Sequence, residues 1–272
     1  MRIGTGSRLA LWALAGLVLA LIYVPLAVVA LNSFNSDRTF GWPPPSFTTE
    51  WWSLAAHAPG PRAALWVSVK AGLGATAIAL VLGALLALAL TRYDFFGKRV
   101  INLLVILPIA LPGIVTGIAL QSTIQNVLQP VLGINAGLFT IIVGHATFCI
   151  VVVFNNVSAR LRRLGSSLEA ASADLGARPW VTMRRVTFPL LRSSLVAGAL
   201  LAFGLSFDEI VVTTFTAGPG SPTLPIWIFD NLFRPNQAPV VNVVAVVLVV
   251  VSILPVWAAQ RLGGDAAAES RL

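Results

Sequence analysis

Two carboxylates stand side by side at Asp208 and Glu209, between Ser206-Phe207 and Ile210-Val211-Val212. Acids in such apolar company can bind a cation, hold a buried partner or gate a helix, because an uncompensated charge there is costly. Lys70 and His145 are the other ionisable groups set in apolar runs. Lys70 could form a structural pair with one carboxylate, and His145 suits a hydrogen bond between helices. The remaining chemistry is sparse. One cysteine, Cys149, excludes an internal disulfide, and His57 and His145 are too few for a Cys/His metal cluster. The chain has no nucleophile with a paired base, no metal-ligand spacing and no lysine-bearing glycine loop to cradle phosphate. Neither an enzyme nor an ATP site is expected in this chain.

The elements that must hold these groups follow from composition. Of 272 residues, 57% are hydrophobic and 10% charged, against about 45–50% and about 25% in soluble domains. No soluble fold of this size could hide that much apolar surface. A spanning helix takes about 20 apolar residues to cross about 30 Å of hydrocarbon. Six stretches qualify, at 9–31, 64–90, 100–120, 137–155, 193–216 and 240–260. The first is longer than a signal-peptide core and is kept as a span, although Val28-Val29-Ala30 resembles a cleavage site. The expected fold is therefore an all-α membrane protein, one membrane domain over 1–272.

The net charge of +8 would suggest nucleic acid in a soluble protein. Its distribution argues instead for topology. Arg2, Arg8, Arg92, Lys98, Arg99, Arg160, Arg162, Arg163, Arg178, Arg184, Arg185, Arg192, Arg261 and Arg271 fall in alternate segments, and the intervening ones hold only Arg38, Arg62 and Arg234. Short cytoplasmic loops retain lysine and arginine, so both ends are expected in the cytoplasm. Trp42, Trp51 and Trp52 in the outer loop 32–63 are expected to anchor at the headgroup level. Pro108 and Pro112, followed by Gly113 and Gly117, should kink or break the third span, which then either lines a cavity or packs tightly.

The inside loop 156–192 is too long for a simple turn. Ser166-Ser167-Leu168-Glu169 reads as a capping box, with the glutamate reaching back to the serine. Leu168, Ala171, Ser172 and Leu175 follow at helical spacing, and Gly176 can take the left-handed conformation that stops a helix. Pro179 suits the first turn of a second helix with Trp180, Met183, Val186 and Thr187 on one face. This elbow either lies on the inner leaflet or docks as a peg in a soluble partner.

At this point the chain resembles the permease subunits of bacterial binding-protein-dependent ABC importers. Their loop motif runs Glu-Ala-Ala, three residues, Gly, nine residues, Ile-x-Leu-Pro. Anchored on Gly176, Val186, Phe188 and Pro189 fall at the matching distances, with Asp174-Leu175-Gly176-Ala177 ahead of them. The motif's glutamate position falls on Ala170, and Glu169 stands one place upstream. The resemblance covers the whole chain. It implies the type I (MetI-like) permease fold and a coupling helix over 166–178 that plugs into an ATPase subunit through Glu169, Ala170, Ala171, Asp174, Leu175, Gly176, Ala177 and Pro189. The partners it implies are two ATPases that bind ATP and Mg, a second, different permease, and an extracytoplasmic substrate-binding protein, in a bacterial inner (plasma) membrane. No nucleic acid is expected.

Ser206 to Val212, with Phe215, Gly218 and Leu224-Pro225, looks most like the second permease of spermidine/putrescine importers. Importers for iron, thiamine and phosphonate share part of the pattern. Carboxylates at membrane depth and a proline-broken span mark a candidate substrate pathway past Asp208, Glu209, Phe207, Pro108 and Pro112, in which either carboxylate meets the substrate or serves structure. An ion-driven secondary transporter is the rival reading, but it would leave the elbow without a role.

Overall fold

A computed structural model describes residues 5–38, 43–234 and 237–268. Arg2, Trp42 and Arg271, which entered the topology and anchoring arguments, lie outside the described residues. In chain order the helices are α1 (Thr5–Asn32), α2 (Glu50–His57), α3 (Pro59–Arg92), α4 (Lys98–Ala110), α5 (Gly113–Thr123), α6 (Gln129–Leu132), α7 (Leu138–Leu164), α8 (Ser167–Asp174), α9 (Pro179–Thr182), α10 (Phe188–Phe207), α11 (Val211–Thr216), α12 (Leu224–Asn231) and α13 (Ala238–Ala268). Five helical segments among the described residues are long and apolar enough to cross a membrane, six if the bent pair Lys98–Ala110 with Gly113–Leu132 counts as one span. Among the described residues, extended pairing is limited to one isolated bridge between Asn35 and Phe47.

By its contacts the chain divides into two compact units, residues 1–62 with 228–249 and residues 63–227 with 250–272. In the first, α1 exposes its apolar side chains all round, as a helix facing lipid or another subunit must. The loop after it folds on itself. The backbone N–H of Thr48 donates to Phe34 O at 2.7 Å, and Trp51 Nε1 donates to Asn35 O at 2.8 Å. Trp51 is buried, with Arg38 over its ring, and Trp52 stacks on Phe34 at 5.3 Å. Trp51 is therefore a loop-folding residue and not the free headgroup anchor expected: its indole N–H has a backbone carbonyl to satisfy inside the loop.

The second unit is organised around α7, the most buried of the spanning helices. Its side chains Phe148, Cys149, Val153, Phe154, Val157 and Leu161 form the core with α3 and α10. Ala71, Ala75, Ala79 and Ala87 of α3 are all fully buried, and Gly83 completes the four-residue repeat. A Cβ on Gly83 would lie 2.9 Å from both Ile150 O and Val153 Cβ, so backbone approaches backbone there. Helices in lipid gain little from hydrophobicity and associate by such close van der Waals contact.

The proline expectations divide. Pro108 sits inside α4, whereas Pro112 breaks the span, and the two helices diverge by 104°. Leu111 is extended at φ −77°, ψ 143°, as the residue before a proline is driven to be. The fifth span also differs from the continuous stretch expected. Pro179–Phe207 forms one helical segment, so the elbow's second limb is the beginning of that span. The helix then stops at Phe207 and restarts at Val211. A π-helical turn at Met183–Thr187 in this span precedes Pro189, and another at Ile124–Leu128, in the second half of the bent third span, precedes Pro130. A proline cannot donate and collides with the carbonyl four residues back, and the wider turn absorbs both problems.

Candidate functional site

Two places gather the residues expected to carry function: the elbow and the break in the fifth span.

In the elbow, α8 ends in a Schellman motif. Ala177 N–H donates to Ser172 O at 3.1 Å and Gly176 N–H to Ala173 O at 2.8 Å, with Gly176 at φ +80°. That φ is where only glycine sits without strain, so Gly176 stops the helix as expected. The expected capping box does not form. The Ser166 side chain makes no capping bond, and Glu169 turns elsewhere. Its Oε2 lies 2.8 Å from Arg92 Nε, and its Oε1 accepts from Thr187 Oγ1 at 2.9 Å. The Nε–H of Arg92 is not aimed at that oxygen, so this half of the contact is Coulombic. A half-buried guanidinium is a stronger partner for a carboxylate than the backbone N–H of an exposed N-cap. Arg92 Nη2 also donates to Gly165 O, and Ser172 Oγ is bonded to Thr182 Oγ1 at 2.9 Å. The outer surface is left apolar: Leu175 is 90% exposed, Trp180 72% and Leu168 50%. Ala170, Ala171, Asp174, Gly176 and Pro189 are exposed too, and Ala177 is half-buried. Thr187, by contrast, is buried.

At the break the two adjacent carboxylates separate. Glu209 turns in to cap α11: its Oε1 accepts from Val212 N–H at 2.8 Å and its Oε2 from Thr213 N–H at 2.9 Å. Acidic oxygens belong at a helix N-terminus, where backbone donors are unmatched. His145, fully buried on α7, lies against the same group, with Nε2 2.8 Å from Thr213 Oγ1 and 3.5 Å from Glu209 Oε2. Its Nδ1 is bonded to Ser206 Oγ at 2.7 Å. One proton arrangement satisfies every member: Ser206 donates to Nδ1, Nε2–H to Thr213, and Thr213 to the Glu209 carboxylate at 3.0 Å. His145 thus bonds between helices as expected. The structural pair with Lys70 does not form: Lys70 is exposed, and the side chain beside Glu209 is His145 of α7 instead. Asp208, at the end of α10, is exposed.

Of the other candidates, Phe207 is buried and stacks on Phe203 at 5.6 Å. Pro108 is half-buried, and Pro112 stands exposed at the third span's break. The half-helices that follow the two breaks pack together. A Cβ on Gly117 of α5 would overlap the Phe215 ring of α11, and one on Gly113 would meet Val211 at 3.4 Å. Sequence reasoning did not assign Arg92 or the Ser206–His145–Thr213–Glu209 cluster. The four-residue spacing of Ala71, Ala75, Ala79, Gly83 and Ala87 was a readable signal for the α3 contact.

Residues 79–264 match the family described as binding-protein-dependent transport system inner membrane component. The chain is 34% identical over 248 residues to the spermidine/putrescine transport system permease protein PotC of Escherichia coli, covering 91% of each chain. It is 31% identical over 233 residues to the putrescine transport system permease protein PotI of Escherichia coli, covering 84% of this chain and 81% of that one. Its fold is similar to a chain in the crystal structure of a bacterial ABC transporter involved in the import of the acidic polysaccharide alginate. There the TM-score is 0.68 at 16% identity, over 96% of this chain and 99% of that one. The architecture is the type I ABC importer permease fold. This chain belongs to the binding-protein-dependent transport system inner membrane component family.

Proposed function

We propose that this chain is one permease half of a polyamine importer in a bacterial inner membrane, driven by separate ATPase subunits. The substrate assignment is supported by the similarity to PotC and PotI across most of the chain. The observation that carries it is the division of labour at the broken fifth span. Glu209 is engaged by α11 and His145, while Asp208 is exposed and makes no ion pair among the described residues. A carboxylate at membrane depth faces a cavity or a cationic partner, and a polyamine is such a partner. Asp208 is the substrate-facing acid in this reading, on a pathway that also passes Phe207, Pro108 and Pro112.

The loop 156–192 faces the cytoplasm, as do both chain ends. Its exposed Leu168, Leu175 and Trp180 supply an apolar knob for a groove in the ATPase. Glu169, Ala170, Ala171, Asp174, Leu175, Gly176, Ala177 and Pro189 make up the coupling element. ATP and Mg belong to the ATPase, selection to an extracytoplasmic binding protein, and the other half of the pathway to a second, different permease. The chain itself performs no catalysis.

Uptake of labelled spermidine and putrescine tests this, in cells lacking redundant polyamine systems, comparing a deletion with its complement. Loss on deletion and rescue by the intact chain are expected. Asp208→Asn should assemble and fail to rescue, and Gly176→Arg should lose co-purification with the ATPase. Unimpaired uptake in the deletion would overturn the polyamine assignment and redirect the search to the related importers. Normal ATPase co-purification with Gly176→Arg would overturn the docking role.

A further inference from the structure

Arg92 is the last residue of α3, and three otherwise separate pieces converge on it and its partner. Its guanidinium donates to the Gly165 carbonyl, where α7 ends, and contacts Glu169 in α8. The same carboxylate accepts from Thr187, buried at the entrance to α10. One side chain of the elbow is thus tied to two spanning helices at once. Both charged groups are mostly shielded, with side-chain exposures of 18% for Arg92 and 24% for Glu169.

The one-residue departure from the family motif gains a physical meaning here. A shift of one position turns a helical side chain by about 100°. The motif's own position carries exposed Ala170, while Glu169 points back at Arg92 and Thr187. A carboxylate at Ala170 would stand on the exposed surface of α8, whereas Glu169 is committed within the chain.

We infer that Arg92, Glu169 and Thr187 form an internal clamp, with Arg92 as its positioning residue, that makes the elbow move as one body with α3 and α10. The inference rests on the reading of residues 166–178 as the ATPase-docking element. A short loop helix held only at its two ends would flex when pulled. Tied from its first turn to two spans, it passes the displacement on. The Ser172–Thr182 bond closes α8 on α9 and adds to the same stiffness.

The test reads stiffness directly in the assembled complex. Spin labels go on Ser167→Cys at the start of α8 and Leu85→Cys in α3, both exposed and neither among the residues assigned to the docking knob, while the native Cys149 is fully buried and out of reach of the label. Distances are recorded without nucleotide and after trapping with ATP and vanadate. With the clamp intact, the distribution should stay narrow and keep its centre in both states. Arg92→Ala and Glu169→Ala should each broaden it at least about twofold, Glu169→Ala at least as much as Arg92→Ala, since the carboxylate carries the ties to both Arg92 and Thr187. Arg92→Lys, which keeps the charge, should recover part of the width. An unchanged narrow distribution in Arg92→Ala overturns the clamp. If Arg92→Ala fails to assemble, Thr187→Val removes only the second tie, and an unchanged width there overturns it equally. ATPase co-purification is scored separately with Gly176→Arg: its persistence would refute the docking reading, whereas the label distances judge the clamp.

Discussion

The third and fifth spans both break inside the apolar part of the chain, and they break by opposite means. In the third, Pro112 lacks the backbone donor and drives Leu111 extended, so the interruption is written in covalent geometry and needs no partner. In the fifth, residues 207 to 211 contain neither proline nor glycine. The helix is interrupted there because the Glu209 carboxylate caps the next helix, backed by His145, Thr213 and Ser206. A proline break is constitutive. A break held by hydrogen bonds is conditional and can be reset when its partners move. The two differ in what would undo them, and substitutions at each can separate the cases.

The largest effect is expected from Glu209→Ala. It leaves the Val212 and Thr213 amides without their acceptor, at a cost of about 3 kcal/mol. Thermal unfolding of the purified protein in detergent would show it, and an unchanged midpoint would mean that the carboxylate does not hold the break. Next comes the contact between the two half-helices. Gly117→Ala should cost about 1–3 kcal/mol, because its methyl overlaps the Phe215 ring. Gly113→Ala, 3.4 Å from Val211, should stay within about 0.5 kcal/mol in the same assay. Equal effects at the two glycines would deny that the half-helices pack in this register.

Pro112→Ala should cost about 0.5–1 kcal/mol, chiefly by loosening the unfolded chain. Its informative readout is geometry. Labels flanking Leu111 should report a helix that straightens away from the 104° bend. Persistence of that bend would show that packing, and not proline, maintains it. The smallest stability change belongs to Asp208→Asn, within about 0.5 kcal/mol, because that side chain is exposed and makes no ion pair among the described residues. A drop as large as that of Glu209→Ala would erase the distinction between the two carboxylates.

Much of the architecture was legible without coordinates. The apolar runs announce membrane helices, Pro112 announces a break, and Gly176 announces the end of the elbow's first helix, because each depends only on local covalent chemistry or on the dielectric of lipid. The elbow's second limb was misjudged as separate from the fifth span, since a π-helical turn that absorbs Pro189 leaves no mark in composition.

Tertiary structure alone decided the pairings. Glu169 at the first turn of a loop helix reads as a cap until Arg92 is found beside it, and Gly165 lies 73 residues from Arg92 along the chain. Lys70 was the evident mate for a buried acid, yet α7 brought His145 there instead. The sequence by itself determined where helices form, stop and are forced to bend, because those choices are made within a few residues of the backbone. Which carboxylate is locked and which is left without an ion pair among the described residues was decided only when α7, α10 and α11 came together, because a hydrogen bond depends on positions a few ångströms apart that no spacing along the chain specifies.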